Sequence, residues 1–379
     1  MDEFAMGCGS VDNELQGAVV NPWSPKDSPR IAGGSSGGSA ASVAAGISLF
    51  SLASDTGGST RLPAALCGIV GFKPSYGLVS RNGMIPLANQ LDTPSLMAPR
   101  VDDINIVFNS WLTNPSSRKG DATLSEYSLQ PPEKGPLKIG IPKEFVIEGL
   151  SPEIKKLWDK VAANCHSDLG HEVVPVSLPH LPYSLAVYTV ICCVAVASNM
   201  SRYDGIKFGY RSKQKSLNDI TVNELISSTR AEALGDIVRQ RILTGNYFLM
   251  KDQQDLYLNA AQRFWRLIKQ DFDKVFEEVD FLLTPVHLQP AEKIEEFKKL
   301  DSRTRTTRDD IFTVPVNLAG LPAISIPLIN SEDDAGLPLG LQLIGPRWSD
   351  LNLLHLAKSI EQIYDFQLLF DFCKELNVK

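Results

Sequence analysis

The chain has 379 residues, of which 43% are hydrophobic and 21% charged, and its mean hydropathy is -0.06. That balance is typical of a folded globular protein and excludes an intrinsically disordered chain. The net charge of -7 argues against direct capture of a nucleic-acid backbone, because that affinity comes mainly from Lys and Arg on phosphates.

The six cysteines show no pattern that predicts a metal site or a disulfide framework. No two of them form a CxxC pair, and no Cys/His cluster has the spacing of zinc ligands. The longest apolar stretch, residues 186–197, is too short to span a bilayer as a helix. We therefore predict reduced core thiols, no metal site and no membrane insertion.

Two glycine–serine turns near the N-terminus are the most informative part of the sequence. The first, residues 33–39, reads GGSSGGS and runs into residues 40–46, a small-residue segment that predicts a closely packed, buried helix. The second turn, residues 54–61, reads SDTGGSTR. Glycines at this density let the backbone adopt conformations that are closed to other residues.

Taken one at a time, the turns are compatible with several kinds of site. A phosphate-binding loop needs a Gly-Lys-Ser/Thr ending, which is absent. Residues 34–38 satisfy the G-x-S-x-G pattern of a nucleophile elbow, with His287 and His355 as candidate bases. Residues 28–32, however, make a poor preceding strand. The tripeptide DTG at residues 55–57 resembles half of an aspartic-protease dyad and has no second copy, and flexible loops without chemistry are the last alternative.

Beyond the turns, apolar strand patterns alternate with helical periodicity. In chain order, strands are predicted at residues 137–142, 173–176, 281–285, 323–328 and 339–344. Helices are predicted at residues 151–169, 255–279 and 350–364. This alternation predicts an α/β layer architecture with a mostly parallel or mixed sheet.

Together, the two turns and the small-residue helix between them resemble the amidase-signature family. The resemblance covers nearly the whole chain and continues at residues 63–77, 315–325 and 340–345. Within the family, residues 2–7 and 76–81 are most similar to the A subunits of glutamyl-tRNA(Gln) amidotransferases. The resemblance implies the α/β amidase-signature fold, a mixed β-sheet covered by helices on both faces. It also implies a single domain over residues 1–379 that lacks its N-terminal segment.

The resemblance assigns the parts of a serine amidase to the two turns. Ser59 is the nucleophile that forms an acyl-enzyme with the glutamine side chain. Ser35, preceded in this family by a cis peptide bond, is the bridging serine. The backbone N–H groups of Thr56, Gly57 and Gly58, with that of Ser59, form the oxyanion hole. Amide cleavage needs a nucleophile, a proton shuttle and oxyanion donors of this kind.

The resemblance also implies how glutamine is bound and which subunits form the complex with this chain. Arg241 binds the α-carboxylate and Asp310 the α-ammonium, opposite charges that match the two ends of a zwitterion. Taken alone, each residue is equally compatible with a surface salt bridge. No cofactor is expected in this chain, since a partner B subunit uses ATP and Mg. The complex is completed by a small C- or F-type subunit, and tRNA is contacted mainly through the partner. The loop sequences favour a mitochondrial copy over a bacterial or plastid one.

One expected part of the machinery has no counterpart in the sequence. The base of this family is a lysine on a strand several dozen residues before the bridging serine. Lys26 is the only lysine before Ser35, and it lies in a polar loop bracketed by prolines, residues 24–29. We therefore expect the base to lie upstream of residue 1 and this chain alone to be inactive. Two alternatives stay open: a non-catalytic scaffold or regulatory protein of the same fold, and a free-standing small-amide hydrolase without the Arg241 and Asp310 pair.

Overall fold

An eight-stranded sheet forms the centre of the molecule. The computed structural model describes residues 1–12, 17–114, 120–124, 135–213, 220–331, 336–364 and 366–371. The strands are, in chain order, β1 Ser51–Asp55, β2 Val70–Lys73, β3 Thr93–Ala98, β4 Lys138–Pro142, β5 Glu172–Val176, β6 Phe281–Pro285, β7 Ala323–Asn330 and β8 Pro338–Ile344. Across the sheet they follow the order β1-β3-β2-β7-β8-β6-β4-β5.

The sheet is mixed. All pairs from β1 across to β6 are antiparallel, whereas β4 runs parallel to both of its neighbours, β6 and β5. The longest ladder joins β7 to β8, with Ala323 opposite Ile344 at one end. The α/β architecture with a mixed sheet, predicted from the sequence, is confirmed.

Helices pack on both faces of this sheet. They are α1 Gly37–Ala44, α2 Arg61–Leu66, α3 Val101–Thr113, α4 Pro152–Ser167, α5 Ser184–Met200, α6 Val222–Ala233, α7 Asp236–Leu249, α8 Ala260–Val275, α9 Ile294–Lys298, α10 Ser302–Asp310, α11 Val314–Ala319 and α12 Asp350–Ile363. Consecutive residues of β2 point to opposite faces. Phe72 packs edge-on against Phe108 of α3, whereas a Cβ on Gly71 would lie 2.6 Å from the Cβ of Ala64 in α2. The two helices therefore cover opposite faces.

The predicted strands correspond to β4 through β8, each within two residues of its predicted bounds. The strands β1, β2 and β3 were not predicted; they are four to six residues long and carry one or two large apolar side chains each. The helix predicted over residues 255–279 begins instead with a π-helical turn, Asp255–Asn259, and α8 ends at Val275. Glu277 and Glu278 follow, and negative charge is unfavourable at a helix C-terminus.

Helix α5 is the apolar element on which the site is built. With the turn before it, the segment Leu181–Met200 is long and apolar enough to cross a membrane by length and composition alone, and half of it is buried inside the molecule. Helix α7 packs closely on α5, because Gly245 has no side chain; a Cβ there would lie 2.0 Å from the Cys193 carbonyl oxygen. The cysteines of the described residues are free thiols, and Cys373 lies outside those residues.

Candidate active site

A buried ion pair holds both ends of the turn that carries Ser59. Strand β1 ends at Asp55 and helix α2 begins at Arg61, so residues 56–60 form the turn between them. Arg61 Nη2 donates to Asp55 Oδ1 at 2.9 Å and Nε donates to Oδ2 at 3.1 Å, and both side chains are fully buried. The amide of Thr60 also donates to Asp55 Oδ2, at 3.2 Å. The two ends of the turn are therefore joined by a bidentate ion pair.

The Arg61 guanidinium is fully satisfied by acceptors that come from distant parts of the chain. Besides Asp55, it donates to the Gln342 Oε1, Asn317 Oδ1 and Thr313 carbonyl oxygens. Asn317 Nδ2 in turn donates to Asp55 Oδ1 at 2.8 Å. Burial alone would raise the pKa of Asp55, but the Arg61 charge and these hydrogen bonds hold it below its ordinary value. Asp55 therefore stays ionised and paired.

Only glycine fits at the two positions before Ser59. Gly58 has φ of +134°, and a Cβ on it would lie 2.1 Å from Thr313 Oγ1. A Cβ on Gly57 would lie 2.8 Å from the hydroxyl oxygen of Tyr188. Thr313 Oγ1 donates to the Gly57 carbonyl at 2.6 Å. Because the carbonyl and the next N–H of a trans peptide point in opposite directions, the Gly58 N–H faces away from Thr313.

The backbone of this turn offers unused hydrogen-bond donors. Within the described ranges no acceptor is found for the amides of Gly57, Gly58 and Ser59. Free N–H groups in a tight glycine turn are the donors that an oxyanion needs. The part of Thr56 predicted to serve the oxyanion is its backbone N–H. Its hydroxyl has a different role, since Oγ1 donates to Asp92 Oδ1 at 2.8 Å. Its side chain thereby ties the start of the turn to the loop before β3.

The first glycine–serine turn packs against both sides of the second. A Cβ on Gly33 would lie 2.8 Å from Pro63 Cα in α2, and Ser36 Oγ donates to the Ser54 carbonyl of β1 at 3.5 Å. The Gly34–Ser35 peptide bond is cis, as the family resemblance implies. Ser35 is fully buried, and among the described residues its hydroxyl has no hydrogen-bond partner. The structure thus brings the two turns together but shows no hydrogen bond from Ser35 to Ser59.

Among the described residues, none of Lys26, Lys73, His287 and His355 is hydrogen-bonded to Ser35 or Ser59. Lys26 is exposed in a turn, as its sequence context predicts. Lys73 of β2 is fully buried; burial and then the Arg61 charge lower its pKa to about 7, and its Nζ donates to the Pro74 carbonyl. His287 is engaged with the Gln289 carbonyl and His355 is exposed on α12. The nucleophile-elbow alternative with a histidine base therefore finds no support here.

Arg241 and Asp310 come together although they lie on different helices, α7 and α10. Burial raises the pKa of Asp310 to about 7, and the nearby Arg241 charge opposes that rise. Across the described residues no ion pair within 4.0 Å joins the two or involves either of them. The Arg241 guanidinium instead donates to the Cys192 sulfur at 3.8 Å. Arg241 and the Asp310 carboxyl are therefore near each other without an ion pair between them.

This pair of residues adjoins the Ser59 turn. Tyr188 of α5 lies against Gly57 and also within electrostatic range of both Arg241 and Asp310. Asp310 is in turn influenced by Asp55 and Arg61. In the part of the chain that is described, no group of three or more His, Cys, Asp or Glu side chains is placed to hold a metal ion.

A family model described as Amidase matches residues 1–354. The chain belongs to the amidase family. The matched span contains both glycine–serine turns, Arg241 and Asp310, so it includes every residue that the resemblance assigned to the site.

Two relatives and one solved structure that this amidase resembles carry the name of the same subunit. The chain is 46% identical to the A subunit of the mitochondrial glutamyl-tRNA(Gln) amidotransferase of Mus musculus, over 97% of this chain and 72% of that protein. Identity to the corresponding Homo sapiens protein is also 46%, with the same shares covered. The crystal structure of the glutamyl-tRNA(Gln) amidotransferase A subunit from Thermotoga maritima is 33% identical, with a TM-score of 0.75 over 97% of this chain and 73% of that one. The resemblance found in the sequence is confirmed.

Several parts of this amidase site could not be found from the sequence. Asp55 and Arg61 lie inside the second turn motif, but nothing in their spacing shows that they pair around it. Thr313 adjoins the predicted Asp310, and only the fold places it on the Gly57 carbonyl. Tyr188 carries no sequence signal at all, because it lies within an apolar helix whose pattern indicates only core packing.

Proposed function

We propose that this protein is the glutamine-hydrolysing A subunit of a glutamyl-tRNA(Gln) amidotransferase. The relatives and the Thermotoga maritima structure named above carry that description. One observation supports it most strongly. Arg241 and Asp310 lie beside a turn with free amide N–H groups, and neither residue forms an ion pair among the described residues. Both side chains are partly buried, and a cation beside a carboxyl with no ion pair to either indicates a ligand of complementary charges.

In the proposed reaction, Ser59 Oγ attacks the side-chain amide carbon of glutamine. The amide oxygen takes the negative charge and is received by the free N–H groups of Gly57, Gly58 and Ser59. The tetrahedral intermediate expels ammonia, which leaves an acyl-enzyme on Ser59, and water then releases glutamate. The buried Ser35 hydroxyl, which has no other partner among the described residues, relays the proton that leaves Ser59 and returns to the amine.

The substrate is oriented by its charged end. Arg241 receives the α-carboxylate and Asp310 the α-ammonium, which leaves the side-chain amide directed toward the turn. This arrangement requires Asp310 to be ionised. Its pKa of about 7 without substrate falls once the ammonium is bound, because a nearby positive charge favours the carboxylate.

The released ammonia is consumed elsewhere in the complex. We propose that this chain needs no cofactor, and that a B subunit uses ATP and Mg to convert Glu-tRNA(Gln) to Gln-tRNA(Gln). The assembly is completed by a small C- or F-type subunit. The partner makes most tRNA contacts, in keeping with the net charge of -7 on this chain. A mitochondrial location is proposed from the mitochondrial relatives.

The test is Ser59→Ala in the natural complex. Glutamine-dependent amidation is expected to fall to background, while amidation supplied with free ammonia stays near the wild-type rate. Ser39→Ala is the matched control, because this exposed serine lies in the same serine-rich region and donates only to the Leu52 carbonyl at 3.3 Å. Equal loss of both activities in Ser59→Ala would contradict a glutaminase role.

A free-standing small-amide hydrolase is the second candidate. The structure of 6-aminohexanoate cyclic dimer hydrolase is 25% identical and superposes with a TM-score of 0.75 over 96% of this chain and 75% of that one. The two functions differ in whether the substrate needs a charged carboxylate and ammonium group on its α-carbon. Efficient hydrolysis of simple amides by the isolated protein, unchanged by Arg241→Met, would favour the hydrolase.

A further inference from the structure

Two residues one helical turn apart lie on the side of α5 that is near Arg241. Tyr188 and Cys192 stand four positions apart, so they lie on the same side of the helix. Tyr188 is 7% exposed and Cys192 is 2% exposed, and both are within electrostatic range of Arg241. Arg241 reaches this face from α7, the helix that packs closely on α5 through Gly245. The thiol of Cys192 is the hydrogen-bond acceptor that meets the guanidinium.

That contact is chemically unusual for an arginine whose side chain is partly buried. A guanidinium has five N–H donors and normally pairs with a carboxylate inside a protein. Here Nη1 donates to Cys192 Sγ at 3.8 Å, and within the described residues no carboxylate lies within 4.0 Å of Arg241. Burial raises the pKa of the Cys192 thiol, so the acceptor is neutral at physiological pH. A neutral thiol is a weak acceptor and leaves the charge of the arginine uncompensated.

We propose that Cys192 is a specificity-determining positioning residue, whose neutral thiol orients the Arg241 guanidinium while leaving its charge free for a substrate carboxylate. The proposal rests on the function proposed above and adds a reason why Arg241 stays available. A carboxylate at position 192 would occupy the guanidinium in the way Asp55 occupies Arg61. The side chain at position 192 thereby determines whether Arg241 is paired within the protein or is free to bind the substrate carboxylate.

The test compares Cys192→Asp with Cys192→Asn in the natural complex, since the two side chains match in size and differ in charge. Two substrates are used: glutamine, and 4-aminobutanamide, which is glutamine without its α-carboxylate. We expect Cys192→Asp to raise the KM for glutamine by about tenfold or more relative to Cys192→Asn, with kcat changed much less. The KM for 4-aminobutanamide should be the same in both variants, so the preference for glutamine collapses only in the aspartate variant.

Two further variants keep the proposal decidable. Should Cys192→Asp fail to fold, Cys192→Ala replaces it: loss of the acceptor lets the guanidinium turn, and the KM for glutamine should rise several-fold at constant kcat. Cys193→Ala is the matched control, because its neighbouring thiol is also buried and is not the acceptor for Arg241. Equal KM values for glutamine in Cys192→Asp and Cys192→Asn, or in Cys192→Ala and Cys193→Ala, would overturn the proposal.

The Arg241→Met variant separates this inference from the proposed function. If Arg241→Met leaves the KM for glutamine unchanged, the binding role of Arg241 is wrong and the proposed function fails with it. If Arg241→Met raises that KM but the position-192 variants behave alike, only the role of Cys192 is wrong.

Discussion

Two arginines of this amidase have opposite surroundings. Arg61, beneath the Ser59 turn, is fully buried and donates to Asp55 and to acceptors from three other residues. Arg241, which is partly buried beside α5, donates to a thiol and has no carboxylate partner among the described residues. Arg61 therefore belongs to a closed hydrogen-bond network, whereas the charge of Arg241 is not compensated by a carboxylate of the described residues.

The difference indicates which charge serves the fold and which serves a ligand. A buried ion must be paired and hydrogen-bonded, or its desolvation destabilises the protein by several kcal/mol. The Asp55–Arg61 pair meets that requirement within the chain. Arg241 and Asp310 do not, and the pairing that they lack is what a zwitterionic amino acid provides. Four changes test this contrast.

The largest effect is expected from Arg61→Met. Removal of one partner leaves Asp55 as a buried, uncompensated charge, so the free energy of unfolding should fall by about 3–5 kcal/mol. Chemical denaturation measures this loss. The matched control is Arg100→Met, which breaks a partly exposed ion pair with Asp371 and should cost no more than about 1 kcal/mol. A similarly small loss for both variants would show that the Asp55–Arg61 pair does not hold the turn.

Arg241→Met should have the opposite profile, with a large effect on binding and none on stability. Loss of a charge-assisted contact of about 1.5–3 kcal/mol raises the KM for glutamine roughly 10- to 150-fold. The free energy of unfolding should change little, because the Arg241 side chain is partly buried and forms no ion pair among the described residues. Steady-state kinetics and denaturation of the same preparation decide the point. A marked loss of stability would place Arg241 with Arg61 as a structural residue.

The pH dependence of glutamine binding should follow Asp310. Because burial raises its pKa to about 7, the carboxyl loses its charge as pH falls through that value. The KM for glutamine should therefore rise below about pH 7, approaching tenfold per pH unit, and it should be nearly constant above pH 8. In Asp310→Asn the KM should be high and independent of pH over this range. A wild-type KM that is flat from pH 5.5 to 8 would argue against a charged Asp310 in binding.

The smallest effect is expected at the adjacent carboxyl. Burial, and then the Asp310 charge, raise the pKa of Asp309 well above its ordinary value, which favours the neutral form of this carboxyl. Asp309→Asn keeps the size of the side chain and should change the KM for glutamine by less than about twofold. Comparison with Asp310→Asn over the same pH range is the measurement. A pH-dependent change in the Asp309 variant would mean that the two carboxyls share the ligand.

The sequence was sufficient for most of the sheet and for the turns that carry chemistry. Strands β4 to β8 are predictable because each is an apolar run bounded by turn residues or by a helix. The Ser59 and Ser35 turns are recognisable because only glycine tolerates their backbone, as the contacts of Gly58 with Thr313 and of Gly33 with Pro63 show. The strands β1 to β3 were not predicted; β2 lies between β3 and β7, with Gly71 opposite Ser325, and pairing over such a separation leaves no local pattern in the sequence.

By itself, then, the sequence determined the family and predicted the Ser59 turn, Arg241 and Asp310 as site residues. Only the tertiary structure decided which of the buried charges are paired. Arg61 finds Asn317 and Gln342, 256 and 281 positions away, whereas Arg241 meets a thiol on a helix 49 positions away. A residue's type shows that it is charged, but its partners depend on which elements the fold brings within hydrogen-bonding distance. Those partners set the energetic cost of the buried charge, and that cost separates a structural arginine from one that awaits a ligand.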